Sequence, residues 1–254
     1  MSQRFKELLE EKEFVFLDGG MGTMLQSAGI STEHIPELLN LTAPEAVMDI
    51  HRMYSESGAD IVYANTFGAN RYKLEGSGHT VEEVVGVGIA NARKAVEGRS
   101  LVALDIGPIG QLLEPAGTLK FEEAYDCFAE LVRAGSEADV IVIETMTDLY
   151  EVKAAILAAK ENSDKPILVT MTFEENMRTF TGVSPECMVA VAEGLGVDAL
   201  GVNCSLGPEE LYPVLDKLCS IATLPVIAKP NAGLPDPVTN TFNGGAEEFA
   251  ESAV

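Results

Sequence analysis

The sequence predicts an α/β protein: a (βα)8 TIM-type barrel that is incomplete, with about seven βα units present and strand eight missing. Three observations predict it. Short, β-branched apolar runs alternate with stretches that carry apolar residues at helical spacing, along almost all of the 254 residues. Runs such as Asp60–Asn65 (DIVYAN) and the VIVIE of 140–144 are continuously apolar, as in parallel strands buried on both faces. No GxGxxG fingerprint of a doubly wound dinucleotide sheet accompanies them, which favours the barrel.

The strand runs are Glu13–Asp18, Asp60–Asn65, Leu101–Asp105, Asp139–Glu144, Pro166–Thr172, Val197–Asn203 and Leu224–Lys229. Helical periodicity fills the intervals at Pro44–Ser57, Val81–Glu97, Phe121–Glu137, Asp148–Glu161, Pro185–Leu195 and Pro208–Ser220. Start signals agree: Thr42-Ala-Pro44-Glu45, Ser184-Pro185-Glu186 and Gly207-Pro208-Glu209 each set proline in a first helical turn. After Lys229 comes a Pro/Gly-rich loop, and Ala246–Val254 then begins a helix, so no eighth strand remains. The uncapped apolar ending resembles a cut end. Residues 1–254 are therefore expected to be one barrel domain truncated before its final strand, with unpaired edges on its outer strands.

Lys and Arg number 17 against 40 Asp and Glu, a formal charge of −23. That balance excludes nucleic acid as a partner, since phosphate neutralisation needs clustered cations, and it disfavours an anionic membrane surface. No apolar run reaches the roughly 20 residues of a membrane span. The N-terminal MSQRFKELLEEKEF is too charged for a secretory signal. Four cysteines in so long a chain are too sparse for a disulfide framework. A cytoplasmic protein with reduced thiols is expected.

Chemistry-bearing residues collect at the carboxyl ends of the runs: Asp18, Asn65, Asp105, Glu144, Thr172, Asn203 with Cys204, and Lys229 with Asn231. In such barrels that rim carries the active site. Cys204 is a zinc ligand, a nucleophile or an inert small residue. Cys127, Cys187 and Cys219 fall in helices, as core or helix-surface residues. Glu144 ends a strongly apolar run and needs a cation, a donor set or a ligand amine to offset its burial, a helix N-cap partner being the structural alternative. The glycines of Asp18-Gly-Gly-Met-Gly-Thr23 let backbone N–H groups approach an anion, so Asp18, Glu144 and this loop together suit a zwitterionic amino acid. Lys229-Pro-Asn231 is either a Schiff-base lysine or a shaped turn. His34, His51 and His79 have no metal-cluster spacing, and solvated or packing roles suit them better.

The ordered segments LDGGMGTMLQ, PELLNLTAPEAV, ANTFGANRYKL, DIGPIGQLLEPAGTL, ETMTDLYE, TFEENMRTFTG, GVNCSLGPEEL and AKPNAGLP cover the chain from Phe14 to about Gly245. Together they resemble the zinc-dependent homocysteine S-methyltransferases, and within them the homocysteine-binding N-terminal domain of cobalamin-dependent methionine synthase. The resemblance implies a (βα)8 barrel in which Cys204 is a zinc ligand. It implies that Asp18, Gly19 and Glu144 surround the homocysteine backbone, Glu144 on the amino group, with Asn203 supporting Cys204 at the substrate site. The family's other two zinc cysteines belong to a Gly-Gly-Cys-Cys-Gly segment at strand eight, so only one of three ligands is present here. Zinc would activate the homocysteine thiol, and methylcobalamin held by another domain would donate the methyl group. Cobalamin- and folate-binding domains are the implied partners, and the fragment alone is expected to be inactive. Two alternatives stand beside this reading: a stand-alone enzyme using betaine or S-methylmethionine, and a non-catalytic amino-acid-binding barrel.

Overall fold

The computed structural model describes residues 3–32, 35–233 and 245–252. In chain order it contains α1 (Gln3–Glu11), α2 (Met21–Ser27), a 3-10 turn (Pro36–Leu38), α3 (Leu39–Thr42), α4 (Pro44–Glu56), β1 (Ile61–Tyr63), α5 (Val81–Val96) and β2 (Leu101–Ile106). There follow α6 (Phe121–Ala134), β3 (Val140–Met146), α7 (Leu149–Asn162), β4 (Ile167–Met171), α8 (Pro185–Gly194), β5 (Ala199–Asn203), α9 (Pro208–Ile221), β6 (Val226–Lys229) and α10 (Ala246–Ser252). The chain divides into two compact units, Met1–Ile143 with Ala154–Ile167, and Glu144–Lys153 with Leu168–Val254. The boundary cuts through β3 and α7.

In the first unit β1, β2 and β3 pair in parallel, with Ile61 opposite Leu101 and Ala103 opposite Val140. All six residues of β2 are buried, which is why its sequence is apolar on both faces. The helices begin where their signals predict: Thr80 caps α5 by accepting the Glu83 N–H at 3.2 Å, and Pro44 opens α4. The α6 helix ends three residues before the periodicity does, where the Gly135 N–H closes the last turn on the Leu131 carbonyl.

The first predicted strand, Glu13–Asp18, contracts to a single parallel bridge between Leu17 and Ile61. Its Phe16 carbonyl accepts the N–H groups of Asp60 and Ile61. Phe14 and Phe16 are 69 % and 62 % exposed, so the alternate side chains of this run find no packing surface that would hold a longer strand.

In the second unit β4, β5 and β6 are parallel and in sequence order, with Met171 opposite Val202 and Asn203 opposite Lys229. The tip of β3 joins them as the Thr172 N–H donates to the Met146 carbonyl at 2.8 Å. The core here is built from Met171, Phe173, Met188, Leu200, Val202, Leu211 and Leu218, all buried. Parallel strands in sequence order with helices between them are the predicted α/β barrel architecture, incomplete among the described residues. Among those residues no helix is long and apolar enough to cross a membrane.

Candidate functional site

In the second unit the carboxyl ends of β3, β5 and β6 bring Glu144, Thr145, Asn203, Cys204 and Lys229 together. Asn203 organises the cluster. Its Oδ1 accepts the Thr145 N–H at 2.9 Å and the Thr170 hydroxyl at 2.8 Å. Its Nδ2 donates to Thr145 Oγ1 at 2.8 Å and toward Cys204 Sγ at 3.4 Å. The residue is 1 % exposed, so the amide is saturated inside the protein and acts on its surroundings through Thr145 and Cys204. Thr172 adds a hydroxyl bond to the Asn203 carbonyl at 3.1 Å.

Cys204 follows β5 with its thiol 3.8 Å from Thr145 Oγ1 and its N–H bonded to the Lys229 carbonyl at 3.1 Å. It has φ +59°, Ser205 has +66° and Thr145 has +61°. Left-handed backbone at a residue with a Cβ costs on the order of 1–3 kcal/mol and persists where the surroundings over-determine it. Three such residues at one cluster mark a geometry held for the thiol. The other cysteines are placed as predicted: Cys127 is buried in α6, and Cys187 and Cys219 are exposed on helices. Among the described residues no three His, Cys, Asp or Glu side chains converge to hold a metal ion. Cys204 is therefore a single thiol, and these residues do not by themselves fit a three-thiolate zinc centre.

Glu144 Oε2 lies 3.3 Å from Lys229 Nζ, with side-chain exposures of 13 % and 19 %. The predicted need of Glu144 for a cation is thus met within the chain. Lys229 is thus engaged with a carboxylate where β6 ends.

Asp18 and Gly19 lie in the first unit. Asp18 is 6 % exposed, and its Oδ2 accepts the Tyr63 N–H at 2.8 Å, extending the backbone pairing beyond Leu17. A Cβ at Gly19 would lie 2.6 Å from Tyr54 Oη, and that hydroxyl donates to the Gly20 carbonyl at 3.2 Å. Close approach of Tyr54 is what requires glycine here. Gly19, Gly20 and Gly22 keep φ outside the left-handed range, so the loop is not the alternating anion-binding turn the glycines suggest. His34 lies outside the described residues. His79 pairs with Glu83 at 2.9 Å, and His51 is fully buried.

Sequence reasoning did not single out Thr145 or Thr170, and it noted Ser205 only as a polar neighbour of Cys204. A threonine within the apolar ILVTM of β4 was the available signal for Thr170. Left-handed backbone at Thr145 and Ser205 leaves no mark in residue type.

Parallel strands whose carboxyl ends present a strained thiol and a half-buried carboxylate define a barrel-type enzyme class. A family profile described as homocysteine S-methyltransferase matches residues 15–254, and the chain belongs to that family. It is 33 % identical over 239 residues to the methionine synthases of Mycobacterium leprae and Mycobacterium tuberculosis, covering 86 % of this chain and 20 % of each relative. The chain thus spans about a fifth of the length of these relatives. Among solved structures it is similar to the homocysteine methyltransferase MmuM from Escherichia coli, metallated form, with TM-score 0.82 and 23 % identity over 90 % of this chain and 87 % of that one. The oxidized form of the same protein gives 0.82 and 22 %, over 91 % and 86 %. At these identities the likeness is one of fold.

Proposed function

We propose that this chain is the homocysteine-binding barrel of a cobalamin-dependent methionine synthase, with residues 1–254 as one domain of a cytoplasmic enzyme that also carries cobalamin- and folate-binding domains. The observation that carries the reading is Cys204, strained and bonded through Asn203, beside the Glu144–Lys229 pair at the strand ends. Family membership and the methionine synthase relatives support it.

In this reading Glu144 takes the amino group of homocysteine, and Asp18 with Gly19 borders the substrate backbone. Asn203 acts on the substrate by fixing Cys204 rather than by touching it. Cys204 is one zinc ligand, and the metal needs further thiolates that the described residues do not bring to it. Zinc held by three thiolates would supply the Lewis acidity that lets a thiol lose its proton near neutral pH. Methylcobalamin on a neighbouring domain would supply the methyl group.

Elemental analysis tests this on the 254-residue chain and on a version extended with a Gly-Gly-Cys-Cys-Gly segment. Zinc is expected in the extended protein, with its loss on Cys204→Ser. Zinc in neither protein, or zinc that survives Cys204→Ser, would overturn the reading. In the extended protein Glu144→Gln is expected to weaken homocysteine about tenfold or more, by removing the charge that meets the ammonium.

A further inference from the structure

We infer that Thr170 is a positioning residue: from inside β4 it holds the Asn203 amide, and through that amide it fixes the peptide joining Glu144 to Thr145 at the rim. The inference rests on the reading of Glu144 as the contact for the substrate amino group.

All five residues of β4 are buried, and Thr170 is 1 % exposed. A buried hydroxyl is costly unless it is bonded, and valine would fill the same space in a strand apolar on both faces. The Thr170 hydroxyl makes one hydrogen bond among the described residues, donating to Asn203 Oδ1 at 2.8 Å. The strand register makes room for it. Thr170 pairs with Gly201 of β5, and Asn203 lies two residues further on, on the same face as Gly201. With no side chain at 201, the Asn203 amide can reach back along the strand to β4.

One orientation of that amide serves all its partners. The Thr145 N–H can donate and cannot accept, so Oδ1 must face it, at 2.9 Å. Nδ2 is then turned to Thr145 Oγ1 at 2.8 Å and toward Cys204 Sγ at 3.4 Å. Asn203 thus grips Thr145 at two points, main chain and side chain, while Thr170 steadies Asn203 from β4. The φ of +61° at Thr145 is one that a residue with a Cβ leaves unless its surroundings hold it. The peptide held at the Thr145 N–H is the one that follows Glu144, so its plane sets how the Glu144 side chain leaves β3. Loss of the Thr170 bond loosens Asn203, then Thr145, then the carboxylate.

Two measurements test this on the 254-residue chain and its Thr170→Val and Thr170→Ser variants: amide exchange by nuclear magnetic resonance, and calorimetric titration with L-homocysteine under reductant and chelator. In Thr170→Val the Thr145 N–H is expected to exchange about tenfold faster. The Leu200 N–H, which donates to the Pro225 carbonyl at 3.1 Å, should keep its rate. Homocysteine is expected to bind about fivefold more weakly, the worth of one hydrogen bond. Thr170→Ser keeps the hydroxyl and should restore both. Thr170→Ala repeats the comparison if the valine variant folds poorly by circular dichroism.

Equal acceleration at Thr145 and Leu200 makes Thr170 merely structural and overturns the inference. So does unchanged exchange at Thr145, or homocysteine bound as tightly by Thr170→Val as by the unmodified chain. In each of these cases homocysteine binding to the unmodified chain leaves the homocysteine reading standing. An unmodified chain that binds no homocysteine overturns that reading, and this inference with it.

Discussion

His51 lies in α4 with no exposed surface, and neither ring nitrogen has a hydrogen-bond partner among the described residues. Burial alone depresses its pKa from the usual 6.5 to about 4, because the charged imidazolium cannot be solvated there. In the unfolded chain the ring takes up its proton as pH falls through 6.5, whereas the native protein resists until about 4. Its contribution to stability is therefore intact above pH 6.5 and is lost between 6.5 and 4, at about 1.4 kcal/mol per pH unit. Urea unfolding should show the chain losing about 2 kcal/mol more than a His51→Leu variant between pH 7 and pH 5. Equal losses would mean that His51 is protonated as readily in the native state as in the unfolded one. Glu37 is the complementary case: burial raises its pKa, opposed by the Gly68 N–H that it accepts at 2.5 Å.

Strands and helices were legible where one physical rule dominates. Parallel strands buried on both faces must be apolar throughout, so β2, β3, β4 and β5 stand out in the sequence. Helices α4, α8 and α9 announce themselves by proline in the first turn. By contrast α1 is short and heavily charged, and only the buried Phe5 signals that it packs. The site was legible residue by residue but not as an arrangement. Glu144 and Lys229 are 85 positions apart, and nothing periodic links them. Nor does the sequence reveal that Asn203 spends its whole amide on Thr145, Thr170 and Cys204. One strand position can be tested directly. A Cβ at Gly201 of β5 would lie 2.0 Å from the Ile227 carbonyl oxygen of β6, a backbone atom that cannot rotate away. Gly201→Ala should cost about 3 kcal/mol in denaturant unfolding. It should also loosen the register that sets Asn203 opposite Lys229, exposing the Cys204 thiol to alkylating reagents. A variant as stable as the parent would mean that β5 and β6 separate easily.

For the whole molecule the governing quantity is the charge of −23 carried by 254 residues. Self-repulsion opposes the compact state, and salt screens it beyond a Debye length. The ion pairs that do form are mostly exposed, such as Arg71–Glu130 and Lys217–Glu186, and each contributes little. Screening repulsion should therefore outweigh screening attraction. The midpoint of thermal unfolding should rise by about 3 °C between about 0.02 M and 0.5 M KCl. A midpoint that falls with salt would show that local ion pairs, rather than net charge, set the balance.

The left-handed backbone at Thr145, Cys204 and Ser205 bears on how this protein would respond to breeding for robustness. Glycine at 145 or 205 relieves the steric penalty of the present residue. A library screened for heat tolerance alone would therefore accumulate changes around the thiol before it improved the core. Robustness and chemistry draw on the same few residues here, so a screen meant to retain both must read out ligand binding in every round.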